Sequence, residues 1–415
     1  MPDAIAPWVA TLAAAVQTGT AIRCITSLMP AGGAGDKVFP PTYREGNKEH
    51  EPPVYATETR WIEGQPVPCV LLDSVQSQAN RLEAALLTAH DRGHLPLPVL
   101  ATHIEGAGRV TTLDAPHRVY DAIFRDSTLD GVRFRQSDLG QRLLTARPQM
   151  ATALYTYCPT VLLFGGWDSH AGDGGRGARI ARALTSEIIG MHTLAGIRPA
   201  SRVDPLGIET EAGPIYEAAD ADERWTLDTS AARHNQKGPV KYGDGRPSRI
   251  GHGNIVPSLV LGGVTLAEAR QIAVLSLPQL RRLRFPHPVT GELSAPRDAA
   301  ARLVLAALGL YALTLQIEQG FDLRSRCVLL PVEASQFDLL GSTHRAMERL
   351  EMDATAAREV LQSALAQAEA HGLQWHREVI TLHAQPKLNA LVRRSQATAA
   401  HDVASGGEDD VGTLP

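Results

Sequence analysis

Residues 163–190 read LFGGWDSHAGDGGRGARIARALTSEIIG. The apolar run from Thr160 to Trp167 predicts a buried strand, the glycines a turn, and GARIARALTSEIIG (177–190) a helix. A strand feeding a helix through Gly172, Gly174 and Gly177 has GxGxxG spacing, the dinucleotide fingerprint. The turn is long for that fingerprint, however. No later strand clearly ends in a ribose-binding acid about 20 residues on, and GxxxxGK[ST] is missing. A nucleotide-cofactor-binding enzyme using the turn at 172–177 is therefore kept only as the alternative reading.

The physics of the turn outlives that motif. Glycine lets the backbone approach a phosphate, and a helix N-terminus attracts an anion. Arg176, Arg179 and Arg182 follow at spacing three, one broad face of the expected helix, with no acid before Glu187. Such a stripe suits a nucleic-acid backbone. Asp168, Ser169 and His170 contain hydrolytic residue types, but neighbours in sequence diverge in space, so they read as turn and capping residues.

Three further segments carry suitable donors. SVQSQANR (74–81) opens a helix capped by Asp73 or Ser74 and offers Ser74, Gln76, Ser77, Gln78, Asn80 and Arg81, hydrogen-bonding groups suited to phosphate and sugar. From Arg233 to Arg249 there are five Lys/Arg, Lys241 and Arg249 among them, against the single acid Asp244. Gly243, Gly245 and Pro247 make this stretch a turn or hairpin able to touch phosphates or wedge between bases. ARQIAVLSLPQLRRLRFP (269–286) holds Arg270, Arg281, Arg282 and Arg284, with no acid until Glu292. Arginine's planar fork bonds phosphate bidentately.

The rest of the chain sorts by period and punctuation. Residues 3–18 read as a short amphipathic helix, TAIRCITSLMP as a strand, and the Gly/Pro-rich stretch 31–53 as a loop. ETRWI, VPCVLLD, PVLATHI, RVTTL and RCVLLPVE read as strands. LDAPHRVYDAIFRDS reads as a helix capped by Asp114, with Pro116 just inside. Residues 264–284 and 298–318 read as helices, 353–372 as a solvent-facing helix, 200–260 as loops and hairpins, and 397–415 as a disordered acidic tail. The fold class expected is α+β, a sheet with helices on one face, and no internal repeat suggests a solenoid.

Bulk numbers agree with a folded, non-membrane class. Hydrophobic residues are 44% and charged residues 20%, enough for a sizeable core. The net charge of −5 looks wrong for a nucleic-acid binder, but Asp402, Glu408, Asp409 and Asp410 crowd the last fifteen residues; without them 40 basic residues face 41 acidic ones. Cys24, Cys69, Cys158 and Cys327 are scattered, which reads as reduced thiols in a cytoplasmic protein without a metal site. The N-terminus does not read as a signal peptide. LVLAALGLYALTLQI (303–317) is short for a membrane span and reads as a buried core helix.

Together, PPTY (40–43), LLDSVQSQANRLEAAL (71–86), VYDAIFRDS (119–127), residues 163–190, PSRIGHGNI (247–255), LSLPQLRRLRFP (275–286) and FDLRSRCVLLP (321–331) resemble the backbone subunit of type I-G, formerly I-U, CRISPR complexes. These belong to the Cas-seven group of RAMP proteins, and the resemblance runs over about residues 21–332. It implies a modified RRM/ferredoxin-like palm over 19–396, with inserted fingers and a thumb hairpin within 200–260. It implies copies stacked head to tail on a guide RNA, with no catalytic residue, cofactor or metal. Implied partners are the CRISPR guide RNA, the target DNA strand paired to it, further copies of the chain, a Cas-five/Cas-six-type subunit and a large subunit. By motif match the RNA-binding residues would be Ser74, Gln76, Ser77, Asn80, Arg81, Trp167, Ser169, Arg176, Arg179 and Arg182. Lys241, Arg249, His252 and Asn254, in or beside the thumb, and Arg281, Arg282 and Arg284 complete the set. Position 249 is Arg where the family pattern leads one to expect an acid. An RNA endonuclease of related fold would need a general acid and base, for which His170 and His252 are the noticeable candidates.

Overall fold

The computed structural model describes residues 2–44, 54–168, 179–220, 223–343 and 345–405. The chain forms two compact units, one of residues 1–41, 57–193 and 266–389, the other of 42–56, 194–265 and 390–415.

The first unit is mixed α+β around an antiparallel sheet. Its principal elements are α1 (Pro2–Thr18), β1 (Ala21–Pro30), β2 (Thr57–Ile62), β3 (Gln65–Asp73), α2 (Val75–Asp91), β4 (Leu184–Met191), β5 (Glu268–Ser276), α3 (Ala295–Gln319), β6 (Phe321–Arg324), β7 (Cys327–Pro331), β8 (Phe337–Leu340), β9 (Ala346–Leu350) and α4 (Ala354–Ala370). Among the described residues these nine strands form one sheet in the order β6-β7-β1-β5-β4-β3-β2, with β8 also pairing with β1 and β9 with β8. β1 and β4 each pair antiparallel with β5, so they run in the same direction.

Period-two alternation explains the sheet's buried face. Ile22, Cys24, Thr26 and Leu28 of β1 are buried, as are Ala269, Gln271, Ala273 and Leu275 of β5. Ile22, Cys24, Leu184, Ala273, Leu275, Phe337 and Leu339 share one core with the apolar stripes of α1, α2, α3 and α4. α3 is capped at its start by the Ser294 hydroxyl, which accepts from Arg297 N, and is followed by Gly320 at φ +78°. It is long and apolar enough to cross a membrane by length and composition, yet most of it is buried in this core, as LVLAALGLYALTLQI foretells.

A chain of buried amides links helices and sheet. Gln78 of α2 donates to Asp73 Oδ2 at 2.6 Å and accepts from the Ser186 hydroxyl (2.9 Å) and Gln271 Nε2 (2.9 Å). Gln271 also donates to Gln316 Oε1 of α3 at 2.8 Å. Buried polar groups are costly unless bonded, so these bonds favour one seating of α2 and α3 on β4 and β5. A smaller sheet in the same unit joins Leu100–Ile104, Gly108–Thr111, Ser127–Leu129, Val132–Arg133 and Ile380–Ala384.

In the second unit, Leu194–Arg202 pairs antiparallel with Ile255–Thr265. Between them lie short pairs, Tyr216–Glu217 with Trp225–Thr226 and His234–Asn235 with Gly238–Pro239, matching the hairpin-rich character expected of 200–260.

Several sequence expectations are corrected. Pro159–Phe164 is a short helix, not a strand; Pro159 sits in its first turn and Gly165 at φ +82° ends it. Residues 179–190 are not a helix: Arg179–Ile180 pairs with Gly166–Trp167, and Leu184–Met191 is β4. The middle of 264–284 is β5, followed only by the short helix Leu277–Arg281. No helix starts at Asp114, whose carboxylate accepts from Thr111 N and Oγ1. Instead a 3-10 turn at Arg118–Tyr120, with Arg118 at φ +53°, precedes the helix Ala122–Arg125 capped by Asp121. α4 is amphipathic rather than solvent-facing, with Ala357, Val360, Leu361, Ala364 and Ala368 buried. Where a disordered tail is expected from 397, a helix Pro386–Ser405 continues to 405; residues 406–415 lie outside the described residues.

Candidate nucleic-acid interface

The central motif is held by its stems. Ser169, His170, Gly172, Gly174, Arg176 and Gly177 lie outside the described residues. On either side, Gly166 pairs with Ile180 and Trp167 with Arg179 in a two-rung antiparallel ribbon. Cross-strand neighbours share a face, and the Arg179 guanidinium lies 5.5 Å from the Trp167 ring centroid. Trp167 is 54% exposed.

Buried arginines fix the backbone beneath this ribbon. Arg118 donates through Nη1 to Gly165 O at 2.9 Å and through Nε and Nη2 to both Glu83 oxygens, each at 2.7 Å. Burial pushes the Glu83 carboxyl up to about 7, against the opposing pull of Arg118. Arg182 Nε donates to Phe164 O at 3.0 Å, and burial, aided by the charge of Arg118, lowers its pKa. Arg135 grips Asp168 with both Nη atoms, at 3.1 and 2.5 Å. Arg182 is thus a half-buried strut rather than one bar of an exposed helical stripe, and the three-arginine stripe is not formed on a helix. Asp168, expected as a turn or capping residue, is held by the Arg135 guanidinium.

The start of α2 is divided between surface and core. Ser74 caps the helix, its hydroxyl accepting from Ser77 N at 3.3 Å. Gln76 and Asn80 are exposed, Ser77 is half-buried, and Gln78 turns inward. Arg81 bonds Asp73 Oδ2 (3.0 Å) and the carbonyls of Asp322 and Leu323, so its guanidinium is committed to the fold.

The 281–284 cluster is likewise split. Arg281 donates to Val16 O (3.0 Å) and Gly19 O (2.7 Å), closing the C-terminal end of α1. Arg284 is ion-paired to Asp298 at 2.8 Å. Arg282 is exposed and donates to Gln279 Oε1 at 3.2 Å.

In the second unit Lys241 is exposed and bridges Tyr216. Arg249 pairs with Asp244 at 3.4 Å. The His252 ring meets Trp225 edge-on, 6.4 Å between centroids. Asn254 Oδ1 accepts from Asp204 N at 2.8 Å, and Asp204 Oδ2 accepts from Gly253 N; this makes Asn254 a loop pin.

Sequence reasoning missed Glu83, Arg118 and Arg135. Each is a charged residue beside apolar neighbours, and only their spatial convergence marks them. On the sheet face turned away from the helices, the residues alternating with the core positions are Ala21, Arg23, Ile25 and Ser27 of β1, Arg270, Ile272 and Val274 of β5, and Thr185 and Glu187 of β4. None is aromatic, so among them no base-stacking platform of the RRM kind exists. The strand–turn–helix context that a dinucleotide fingerprint needs is missing too, because the turn's flanks are a helix-fed ribbon and strand β4. Among the described residues no cluster of three or more His, Cys, Asp and Glu is placed to hold a metal ion. All four cysteines are buried and unbridged, and burial pushes the Cys24 thiol up to about 11.

Residues 22–194, less than half of the chain, match the model of the family described as CRISPR-associated protein GSU0053. That span runs from β1 through β4 and takes in α2, the Arg118–Glu83 pair and the ribbon. It bears out the resemblance to a type I CRISPR-associated subunit of the Cas-seven group. No curated protein matches. Among solved structures, a chain of a CRISPR RNA-guided surveillance complex, pre-nicking, is similar at 12% identity, covering 92% of this chain and 100% of that one, with a TM-score of 0.31.

Proposed function

We propose that this chain is a guide-RNA-binding backbone subunit of a type I CRISPR surveillance complex, without catalytic activity of its own. The observation that carries the reading is the CRISPR-associated family match across residues 22–194. The strand order supports a palm of the RRM/ferredoxin kind. Reading β1, β4, β5 and the β7/β8 pair as its first to fourth strands gives the order 4-1-3-2, with α2 and α3 as the two crossover helices. The insertion 194–265 between β4 and β5 then takes the place of the thumb. Gln76, Asn80, Trp167, Arg179, Lys241 and Arg282 are exposed and of types that bond or stack on nucleic acid. We assign them the RNA contacts. Arg81, Arg182, Arg281 and Arg284 instead support the fold that presents them.

On this reading copies assemble head to tail along the guide in the cytoplasm. The target DNA strand pairs with that guide, and a Cas-five/Cas-six-type subunit and a large subunit cap the assembly. Head-to-tail contacts do not close on themselves, so assembly length follows guide length. Native mass spectrometry of the chain with guides of increasing length tests this. Masses rising by whole subunits are expected; a fixed stoichiometry, or no RNA bound at low salt, overturns it.

A further inference from the structure

The ribbon of Gly166–Trp167 and Arg179–Ile180 has two unlike faces. One is locked inward: Ile180 is 4% exposed, and a Cβ on Gly166 would lie 2.7 Å from the Tyr120 ring and 2.9 Å from Val161 Cγ1. The other presents Trp167 and Arg179. Leaving an indole half in water forgoes the benefit of burying it, and nothing about a two-residue strand requires a tryptophan there. Yet side chains hold its backbone on both sides. The preceding carbonyls are bonded by Arg118 and Arg182, and the following residue, Asp168, is gripped by Arg135. A rigid, exposed indole with a guanidinium beside it has the makings of a stacking platform, since every nucleobase has a π-face and an arginine alongside serves both ring and phosphate.

We propose that Trp167 stacks one unpaired nucleobase of single-stranded RNA and that Arg179 bonds a phosphate flanking that base. The pair forms a fixed reading-frame stop on the strand. This rests on the RNA-binding reading above and adds to it a base-contacting site where the outward positions of β1, β4 and β5 offer no aromatic. Arg118, Arg135, Arg182 and Glu83 are positioning residues for the pair.

The test titrates the full chain with an unstructured single-stranded oligoribonucleotide and with a duplex of the same length, following tryptophan fluorescence and affinity across salt concentrations. For the wild type, quenching by the single strand but not the duplex is expected. In Trp167→Phe the fold and most of the affinity should persist while the quench disappears. Trp167→Ala should weaken binding roughly ten-fold. Arg179→Ala should flatten the salt dependence by about one phosphate contact. Full quenching retained in Trp167→Phe, or duplex and single strand quenching alike, overturns the stacking site while leaving RNA binding in place. A wild-type chain that binds neither RNA overturns the underlying reading as well.

Discussion

Arg118 clasps Glu83 through two bonds of 2.7 Å at a point where Arg118 is 5% and Glu83 1% exposed. Arg118 does so from a backbone at φ +53°, a region non-glycine residues seldom occupy. The strain is held by its side chain, which also bonds Gly165 O and lies over the Phe164 ring at 5.5 Å. One residue thus ties α2 to the stem of the ribbon.

Removing one partner of such a pair strands the other. Arg118→Met at pH 8 should cost about 3–5 kcal/mol in urea denaturation. The double variant Arg118→Met, Glu83→Leu should recover much of that loss. A double variant as unstable as the single would show that the ion pair is not what matters at this position.

Glu83 makes the fold pH-dependent in a stated direction. Its carboxyl rises on folding from an ordinary 4.5 to about 7, because burial disfavours the charged form. The folded state therefore binds the proton more tightly than the unfolded one. This contribution to stability is whole below pH 4.5 and is lost as pH climbs through 7. Between pH 5 and 8 the thermal midpoint of the wild type should fall more steeply than that of Glu83→Gln. Parallel curves for the two proteins would contradict the assignment.

The amide network gives a second stability prediction. Gln271 supplies hydrogens to Gln78 Oε1 and Gln316 Oε1. Gln271→Leu leaves Gln316 Oε1 without this donor while Gln78 Oε1 keeps the Ser186 hydroxyl, at a cost of about 1–3 kcal/mol in all. Denaturation should report the loss, and hydrogen exchange should locate it at α2, β4 and α3. Unchanged protection in those three elements is the contrary result.

Arg281 separates a fold-supporting cation from an RNA-contacting one. Arg281→Ala loses two bonds to the end of α1 and should lower stability by about 1.5–3 kcal/mol. Its salt slope for RNA binding should match the wild type, whereas Lys241→Ala should reduce that slope with little change in stability. An Arg281→Ala slope that falls by a full unit would reassign this guanidinium to the phosphate backbone.

How far the sequence could be read follows from period and length. β1 alternates cleanly, α2 carries its Ser74 cap, and α3 is a long apolar run, so all three are legible. β4 and β5 are not. ARALTSEI and EARQIAVL are rich in Ala, Arg, Leu, Glu and Gln, good helix formers, and only the buried alternation Ala269, Gln271, Ala273, Leu275 betrays a strand. Phe164 and its neighbours fail the opposite way, because a six-residue apolar run has no period to separate helix from strand. The same error dissolved the arginine stripe: spacing three means one face only on a helix, and Arg179 stands in a strand while Arg182 is a half-buried strut. Trp167 and Arg179 were singled out by motif, but their stacking became visible only once the chain doubled back.

The insertion has a property of its own. Residues 194–265 run between β4 and β5, and Leu194 faces Thr265 three residues beyond the Met191–Glu268 rung. Closing a loop whose mouth is already shut costs little more as the loop grows, since the entropy rises only with the logarithm of its length. Evolution is therefore able to lengthen, shorten or replace whatever hangs between those two strands without retuning them, and a grafter at the bench inherits the same freedom.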